Sequence, residues 1–355
     1  MIFGRVKPLD AILATAEKKS LHRSLGAIQL TLLGVGAIIG TGIFVLTSAA
    51  AQYAGPGMLV SFIIAGFVCA VAALCYSELS SMVPVSGSAY TYTYAIMGEL
   101  LAWMVGWALI LEYAVAASAV SVGWSGYFVG LLDSSLGIVI PRDLANGPDA
   151  GGIVNIPAFV IALLVTWLLL IGTRESAAVN AVLVAIKVTA LTLFIALSMP
   201  MMDGAQFDPF MPTGVGGTLT AAAVIFLAYV GYDAVSTAAE ETKNPQRNVP
   251  IGLIGSLLFC TVFYILVAAG AIGSIGGQPI MGPNGIPFPA GSEELARQCA
   301  MPEYSGMLVC SNEALAHVLR EIGFSGIGNM LGIAAFVALP SVILILLFGQ
   351  TRIFF

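Results

Sequence analysis

Three ionisable side chains lie inside long apolar stretches of this sequence. Lys187 stands in AVLVAIKVTALTLF, Glu112 in WALILEYAVAAS and Asp233 in FLAYVGYDAVSTAAEE. A charge in the apolar core of a membrane is costly, so such residues face the interior of a helix bundle and often carry function. Lys187 is therefore a candidate for a group that gains and loses a proton. Snorkelling to the membrane surface is the alternative, but Lys187 is about ten residues from either end of its stretch.

The two acidic side chains leave several interpretations open. Glu112 could pair with Lys187, face the side chain of a bound substrate, or hydrogen-bond a neighbouring helix. Asp233 could bind a proton or pair with a basic residue of a loop, and we favour the structural pairing.

Two of the apolar stretches carry glycines that weaken a helix. The segment GVGAIIGTGIFV, residues 34–45, has four glycines and one hydroxyl residue, Thr41, and a second cluster of Tyr229, Gly231 and Asp233 lies in LTAAAVIFLAYVGYDAVSTAAEE. Glycine costs about 1 kcal/mol in a helix interior relative to alanine. Unwound backbone survives in a membrane only where it is buried in protein or lines a cavity. Freed N–H groups favour an anion and freed carbonyls a cation, so two such breaks could hold both ends of a zwitterion such as an amino acid.

The glycine run has two further interpretations, and both are weaker. Gly36 and Gly40 form a GxxxG pattern, which marks close packing of membrane helices and does not exclude a second role. The spacing GxGxxxG misses the dinucleotide fingerprint, and no strand–turn–helix pattern surrounds it.

The sequence does not favour an enzyme. His22 and His317 lie far apart without paired zinc ligands, and no GxxxxGK[ST] phosphate-binding motif occurs. No segment is basic enough to suggest nucleic acid as a partner. We therefore expect neither a metal nor a cofactor.

The composition indicates an integral membrane protein. Of 355 residues, 59% are hydrophobic and 9% are charged, whereas soluble domains have about 25% charged residues. The N-terminal segment has mixed charge and no cleavable signal pattern. A membrane core about 30 Å thick needs roughly 20 apolar helical residues. On that basis we predict eight spans, at about Ile28–Ala50, Met58–Val83, Leu100–Leu132, Ile156–Gly172, Ala177–Met199, Thr218–Ala239, Ile251–Ile275 and Met330–Gly349.

The basic residues predict a cytoplasmic N-terminus in a plasma membrane or bacterial inner membrane. In that orientation nine of the 13 basic residues fall on the inside, namely Arg5, Lys7, Lys18, Lys19, Arg23, Arg174, Lys243, Arg247 and Arg352. Three fall outside (Arg142, Arg297 and Arg320), which agrees with the positive-inside rule.

The longest loop, at about residues 276–329, is then external. Its second half, NEALAHVLREIG, is expected to be helical. Cys299 and Cys310 lie in this loop, where a disulfide or two free thiols are equally expected.

The two interruptions lie in the first and sixth predicted spans. Because five is an odd number, a second five-span unit would cross the membrane in the opposite direction from the first. Paired interruptions in two inverted halves indicate the binding site of a secondary transporter. We accordingly divide the chain into a cytoplasmic segment (residues 1–27), a five-span repeat (28–199) and a partial second repeat (200–355).

Three segments together resemble the amino acid–polyamine–organocation superfamily: GVGAIIGTGIF, YSELSSMVPVSGSAYTYTYAIMGELLAWMVGW and FLAYVGYDAVSTAAEETKNPQRNVPIG. Within it they are most similar to bacterial cationic amino acid transporter homologues. The resemblance runs from about Lys7 to the C-terminus. It implies an all-α membrane protein of the LeuT type, with two inverted five-helix repeats and the substrate held at broken helices 1 and 6.

The resemblance also implies roles for individual residues. Gly40, Thr41 and Gly42 would present N–H groups to the substrate carboxylate, and the carbonyls of Ile38, Leu227 and Val230 would meet its ammonium. Phe226, Leu227 and Tyr229 would shape or gate the pocket. Lys187 would bridge to carbonyls of the first helix and take part in proton symport.

The resemblance finally implies an amino acid as substrate, either neutral or cationic, with a proton as the coupling ion. Relatives typically have ten core helices, so we expect that this chain is a fragment or a truncated product whose second repeat is incomplete. The alternative hypotheses are a non-transporting protein or binding subunit and, more remotely, a channel.

Overall fold

The computed structural model describes residues 23–82, 88–171, 177–304 and 306–353. Within these ranges the backbone is mostly helical, and its only β-structure consists of the isolated bridges Leu25–Thr242 and Met281–Pro287. The long helices and their short neighbours are α1 (Ala27–Ile38), α2 (Thr41–Phe44), α3 (Leu46–Ala54), α4 (Met58–Met82), α5 (Ser88–Ile96), α6 (Glu99–Leu136), α7 (Arg142–Ala145), α8 (Ile156–Ile171), α9 (Ala177–Ser198), α10 (Gly214–Phe226), α11 (Ala234–Thr237), α12 (Pro245–Ile275), α13 (Glu293–Cys299), α14 (Ala314–Glu321) and α15 (Ser325–Ile353).

Six stretches of the described residues are long and apolar enough to cross a membrane. They are Leu46–Ser80, Glu99–Leu136, Val179–Met201, Gly214–Thr237, Pro245–Ile275 and Ser325–Thr351. Ala27–Ile38 and Ile156–Ile171 are shorter apolar helices at two further predicted spans. The chain is therefore an all-helical, multi-pass membrane protein.

Local sequence accounts for where several helices begin and end. Leu46–Ser80 contains the turn Gly55–Gly57, where the positive φ of Gly55, 57°, suits glycine. Pro245 opens α12, a position where its missing N–H costs nothing. Gly137 caps α6 in the left-handed conformation.

Two sets of packing contacts organise the bundle. In the first set, α12 packs against α1, α4 and α9, and α10 packs against α3 and α4. In the second set, α6 packs against α15 and α8. Contacts of α9 with α15 join the two sets.

The two ends of the bundle are distinguishable by their contacts. On one side, which we call the loop face, the connection 276–324 covers the end of α3, because the Gln52 side chain bonds the backbone of Ile280 and Phe288. On the other, which we call the N-terminal face, the N–H groups of Ser24 and Leu25 donate to the Glu241 carbonyl at 2.9 and 3.0 Å. The segment α1–α3 crosses from the N-terminal face to the loop face.

Candidate functional site

The first predicted interruption is present between α1 and α2. Helix α1 ends at Ile38, Ile39 adopts an extended conformation with ψ 93°, and α2 begins at Thr41 after Gly40. The first N–H groups of a helix have no intrahelical acceptor, so the backbone of Thr41 and Gly42 begins α2 with N–H groups available to a ligand.

The second interruption follows α10. A 3-10 turn covers Leu227–Tyr229, Val230 is extended with ψ 134°, and Gly231 has φ 110° before α11 begins at Ala234. A side chain at Gly231 would be strained by this φ and would also lie 3.0 Å from the Ala37 carbonyl.

The structure packs the two interruptions directly on each other. A Cβ at Gly42 would overlap Ala228, so only glycine lets α2 approach the 3-10 turn this closely. The Tyr264 hydroxyl of α12 lies 2.7 Å from the Ile38 carbonyl and 3.1 Å from the Ala228 carbonyl. Because that hydroxyl has one hydrogen, it donates to one carbonyl at a time. Tyr264 was not predicted as a site residue, since nothing in its local sequence indicates two broken helices as neighbours.

A cavity of about 20 Å³ lies between the interruptions. That is room for about one water molecule. Its lining residues among the described side chains are glycine or aliphatic, and they are Ala37, Ile38, Gly40, Gly42, Leu46, Ala116, Ala119, Val120, Leu227, Ala228, Val230, Val342 and Leu346. Five predicted site residues therefore meet at one cavity.

Two other predicted site residues, Phe226 and Tyr229, do not line this cavity. Phe226 is 39% exposed and is not among the lining residues. Tyr229 is fully buried, and its hydroxyl donates to the Phe62 carbonyl of α4 at 3.1 Å, away from the cavity. For Thr41 the structure describes the backbone alone.

Lys187 contacts the first broken helix, as the resemblance implied. Its side chain is 1% exposed, and Nζ donates to the Gly36 carbonyl at 2.9 Å. This carbonyl lies in the last turn of α1, where carbonyls lose their intrahelical donors. The ammonium thus stabilises the end of the interrupted helix.

Asp233 and Glu112 lie near each other on the side of the second interruption. Asp233 accepts a hydrogen bond from the Tyr113 hydroxyl of α6, and its second oxygen is buried with no partner among the described residues. Among the described residues, Asp233 thus pairs with a tyrosine and not with a basic loop residue. Glu112 is half-buried and interacts electrostatically with Asp233.

On the loop face, the connection 276–324 is bonded to α3 and is stabilised by contacts within itself. Ser48 of α3 donates to the Ser311 carbonyl at 2.7 Å, and Cys299 and Cys310 form a disulfide with Cα atoms 5.4 Å apart. Glu313 pairs with Arg320 of α14. Burial raises the pKa of Glu313 above its ordinary value of 4.5, although the Arg320 guanidinium partly lowers it.

Among the described residues, no group of three or more His, Cys, Asp or Glu side chains could hold a metal ion. The imidazole Nε2 of His317 lies 3.0 Å from the Gly306 carbonyl, and His22 is outside the described residues.

The relatives that comparisons with known proteins find are permeases and transporters. The sequence model of a family described as "Amino acid permease" matches residues 25–298. The branched-chain amino acid permease BcaP of Bacillus subtilis is 45% identical, over 100% of this chain and 71% of that protein. The methylthioribose transporter of Bacillus subtilis is 41% identical over 99% of this chain and 70% of its own. The chloroplastic cationic amino acid transporter 9 of Arabidopsis thaliana is 38% identical over 94% and 55%.

Proposed function

The chain belongs to the amino acid permease family, and from this premise we propose that it is a secondary active transporter that carries amino acids by proton symport. The observation that carries the proposal is the packing of two interrupted helices around one cavity. We further propose that these helices belong to inverted repeats. The protein would lie in a plasma membrane or bacterial inner membrane, with its N-terminal face on the cytoplasmic side.

The substrate's charged ends would be held by backbone groups. N–H groups of Gly40, Thr41 and Gly42 would meet the carboxylate, because they open α2 without intrahelical acceptors. Carbonyls of Ile38, Leu227 and Val230 would meet the ammonium. The Ile38 carbonyl already accepts from the Tyr264 hydroxyl, which supports its role as an acceptor for an N–H donor.

The cavity lining favours a small neutral amino acid over a cationic one. Those walls that the structure describes are glycine and aliphatic, and Glu112 is not among their residues. A buried guanidinium or ammonium without a partner would cost several kcal/mol. Relatives named for branched-chain amino acids and for cationic amino acids both exist, so substrate competition decides between these classes.

Proton coupling would act through Lys187. Its ammonium donates to the Gly36 carbonyl next to the first interruption, so loss of the proton would remove a donor from the end of α1. That change would bias the position of α1. Asp233 and Glu112 would complete the polar core on the side of the second interruption.

Uptake into proteoliposomes tests the function. We expect accumulation of labelled alanine driven by an imposed pH gradient, with competition by valine and leucine but not by arginine. Methylthioribose belongs in the panel because of the named relative. No uptake by the wild-type protein under any gradient would favour the alternative of a non-transporting protein or binding subunit.

A lysine variant tests the coupling. Lys187→Ala should lose accumulation driven by the pH gradient yet keep counterflow, which needs no gradient. Lys243→Ala, at an exposed lysine between α11 and α12, is the matched control and should accumulate like the wild type. Gradient-driven accumulation by Lys187→Ala would rule out the coupling role.

A further inference from the structure

Helix α6 carries two buried tyrosines on one face. Tyr113 and Tyr127 are 2% and 0% exposed, and they lie 14 residues apart. Fourteen residues are about 21 Å of helix and about 40° short of four full turns, so both side chains leave α6 on nearly the same side.

Tyr127 bonds the half of the first broken helix that faces the loop. Its hydroxyl donates to the Phe44 carbonyl at 2.8 Å, and its ring meets the Phe44 ring edge-on, with centroids 6.1 Å apart. Phe44 ends α2, four residues before Ser48, which bonds the loop at Ser311. Tyr127 therefore ties the loop-face half of this helix to α6.

Tyr113 makes the corresponding contact on the opposite half. Its hydroxyl donates to the carboxylate of Asp233, which directly precedes α11. Asp233 also accepts on its carbonyl from the Ser236 hydroxyl at 2.6 Å, so its position is fixed within the start of α11. Tyr113 therefore ties the N-terminal-face half of the second broken helix to α6.

The cavity lies between these two contacts. Ala116, Ala119 and Val120 of α6 line it, about one to two turns beyond Tyr113 and about two to three turns before Tyr127. With both contacts made, the cavity measures about 20 Å³. That volume is too small for an amino acid, which enters only if one of the tied half-helices moves away from α6.

We infer that the hydroxyls of Tyr127 and Tyr113 are two latches that hold the loop face and the N-terminal face closed, respectively. Access from the loop face requires the hydrogen bond of Tyr127 to break while that of Tyr113 remains. Access from the N-terminal face requires the reverse. The inference rests on the proposed transport function and adds two positioning residues to it.

Thiol labelling from one side at a time tests the latches. A reporter, Ala119→Cys, places one thiol in the cavity wall between the two tyrosines. Vesicles of known orientation are treated with a membrane-impermeant maleimide on either side. Labelling is read by mass spectrometry on the peptide that carries position 119, so the native thiols do not interfere.

The expected result has opposite sidedness for the two variants. Tyr127→Phe should raise the labelling rate from the loop face by roughly tenfold without raising it from the other face. Tyr113→Phe should do the reverse. Each substitution removes the donor of a buried acceptor, which weakens the closed state. A loss of about 1.4 kcal/mol corresponds to the tenfold change. Tyr92→Phe is the matched control, because the buried Tyr92 hydroxyl has no partner among the described residues; its rates should equal the reporter's from both faces.

General loosening of the bundle would give a different result. Faster labelling from both faces in either variant, or unchanged labelling in both, would overturn the latches. Wild-type uptake in the same vesicles is measured separately. Absent uptake contradicts the proposed function, whereas normal uptake with two-sided labelling contradicts the latches alone.

Discussion

Removal of the Tyr264 hydroxyl should weaken the fold and strengthen substrate binding. This hydroxyl is fully buried and serves the carbonyls of Ile38 and Ala228 at 2.7 and 3.1 Å. In Tyr264→Phe whichever of the two carbonyls accepts this hydrogen loses its donor. An unsatisfied buried acceptor costs about 1–3 kcal/mol, so the unfolding temperature without ligand should fall.

A substrate ammonium would compensate for this loss. If the ammonium donates to the Ile38 carbonyl, it competes with Tyr264 in the wild type and meets no competitor in the variant. The dissociation constant for L-valine or L-alanine, whichever competes best in uptake, should therefore fall by about tenfold, which corresponds to 1.4 kcal/mol of the hydroxyl's contribution. Ligand-induced stabilisation at a fixed concentration should rise by the same amount.

The control for this experiment is Tyr229→Phe. Tyr229 is as buried as Tyr264, but its hydroxyl donates to the Phe62 carbonyl, away from the interruptions. It should lower the unfolding temperature and leave the dissociation constant at the wild-type value. An unchanged or larger dissociation constant in Tyr264→Phe would refute the ammonium site at Ile38, because removal of the competing donor would then have had no effect on binding.

Further predictions concern packing, charge and the loop. Gly42→Ala should destabilise the protein by about 1–3 kcal/mol or more, because its methyl overlaps backbone as well as side chain; Gly40→Ala meets only a side chain at 3.1 Å and should lower the unfolding temperature less. The raised pKa of Glu313 means that the folded state holds the proton more tightly than the unfolded state. Its contribution to stability is thus fully present below 4.5 and is lost as pH rises towards the raised value. The unfolding temperature of Glu313→Gln, measured across this pH range, should not show that decline. Identical slopes of unfolding temperature against pH in the variant and the wild type would contradict this prediction. Reduction of Cys299–Cys310, which are 11 residues apart, should cost up to about 3 kcal/mol, and Cys310→Ser should show the same loss without further sensitivity to reductant.

Eight spans were predicted from the sequence, and among the described residues six long apolar stretches and two shorter apolar helices lie at them; both interruptions were also predicted. Apolar stretches of about 20 residues coincide with the helices, and glycine runs mark the breaks at Gly40 and Gly231. These features are local, because hydropathy and backbone freedom depend on the residues of one segment. The contact of Lys187 with the first helix also agrees with expectation, although from family resemblance rather than from local pattern.

The direction of individual side chains at the breaks was not predictable in the same way. Successive helical residues differ by about 100°, so an uncertainty of one residue in a helix end changes which side chains face the cavity. Phe226 ends α10 and does not line the cavity, whereas Leu227 begins the 3-10 turn and lines it. The tyrosine partner of Asp233 was not predictable for a related reason: one of its carboxylate oxygens accepts from a tyrosine 120 residues earlier in the chain.

Three tyrosine hydroxyls organise the interruptions, and none was recognisable from sequence. Tyr113, Tyr127 and Tyr264 lie in long apolar helices, where a tyrosine is as consistent with a lipid interface as with a core. Their partners are a carboxylate and backbone carbonyls that become acceptors only because the helices break. The hydrogen-bond network thus depends on tertiary contacts between segments that are distant in the chain.

The small volume of the cavity means that substrate binding would require the surrounding helices to move. A cavity of about 20 Å³ cannot admit a side chain, and the Ile38 carbonyl is already bonded. At the proposed site, an arriving amino acid would compete with the Tyr264 hydroxyl for the Ile38 carbonyl and would separate the aliphatic walls, so part of its binding free energy would stabilise a more open state. A ligand shifts such an equilibrium only by its difference in affinity between the two states. Substrates with similar charged ends would then differ mainly in how well their side chains fill the expanded space between the aliphatic walls. Selectivity would therefore depend on Ala116, Val120 and Val342, whereas the backbone of the interruptions would recognise the groups that all amino acids share.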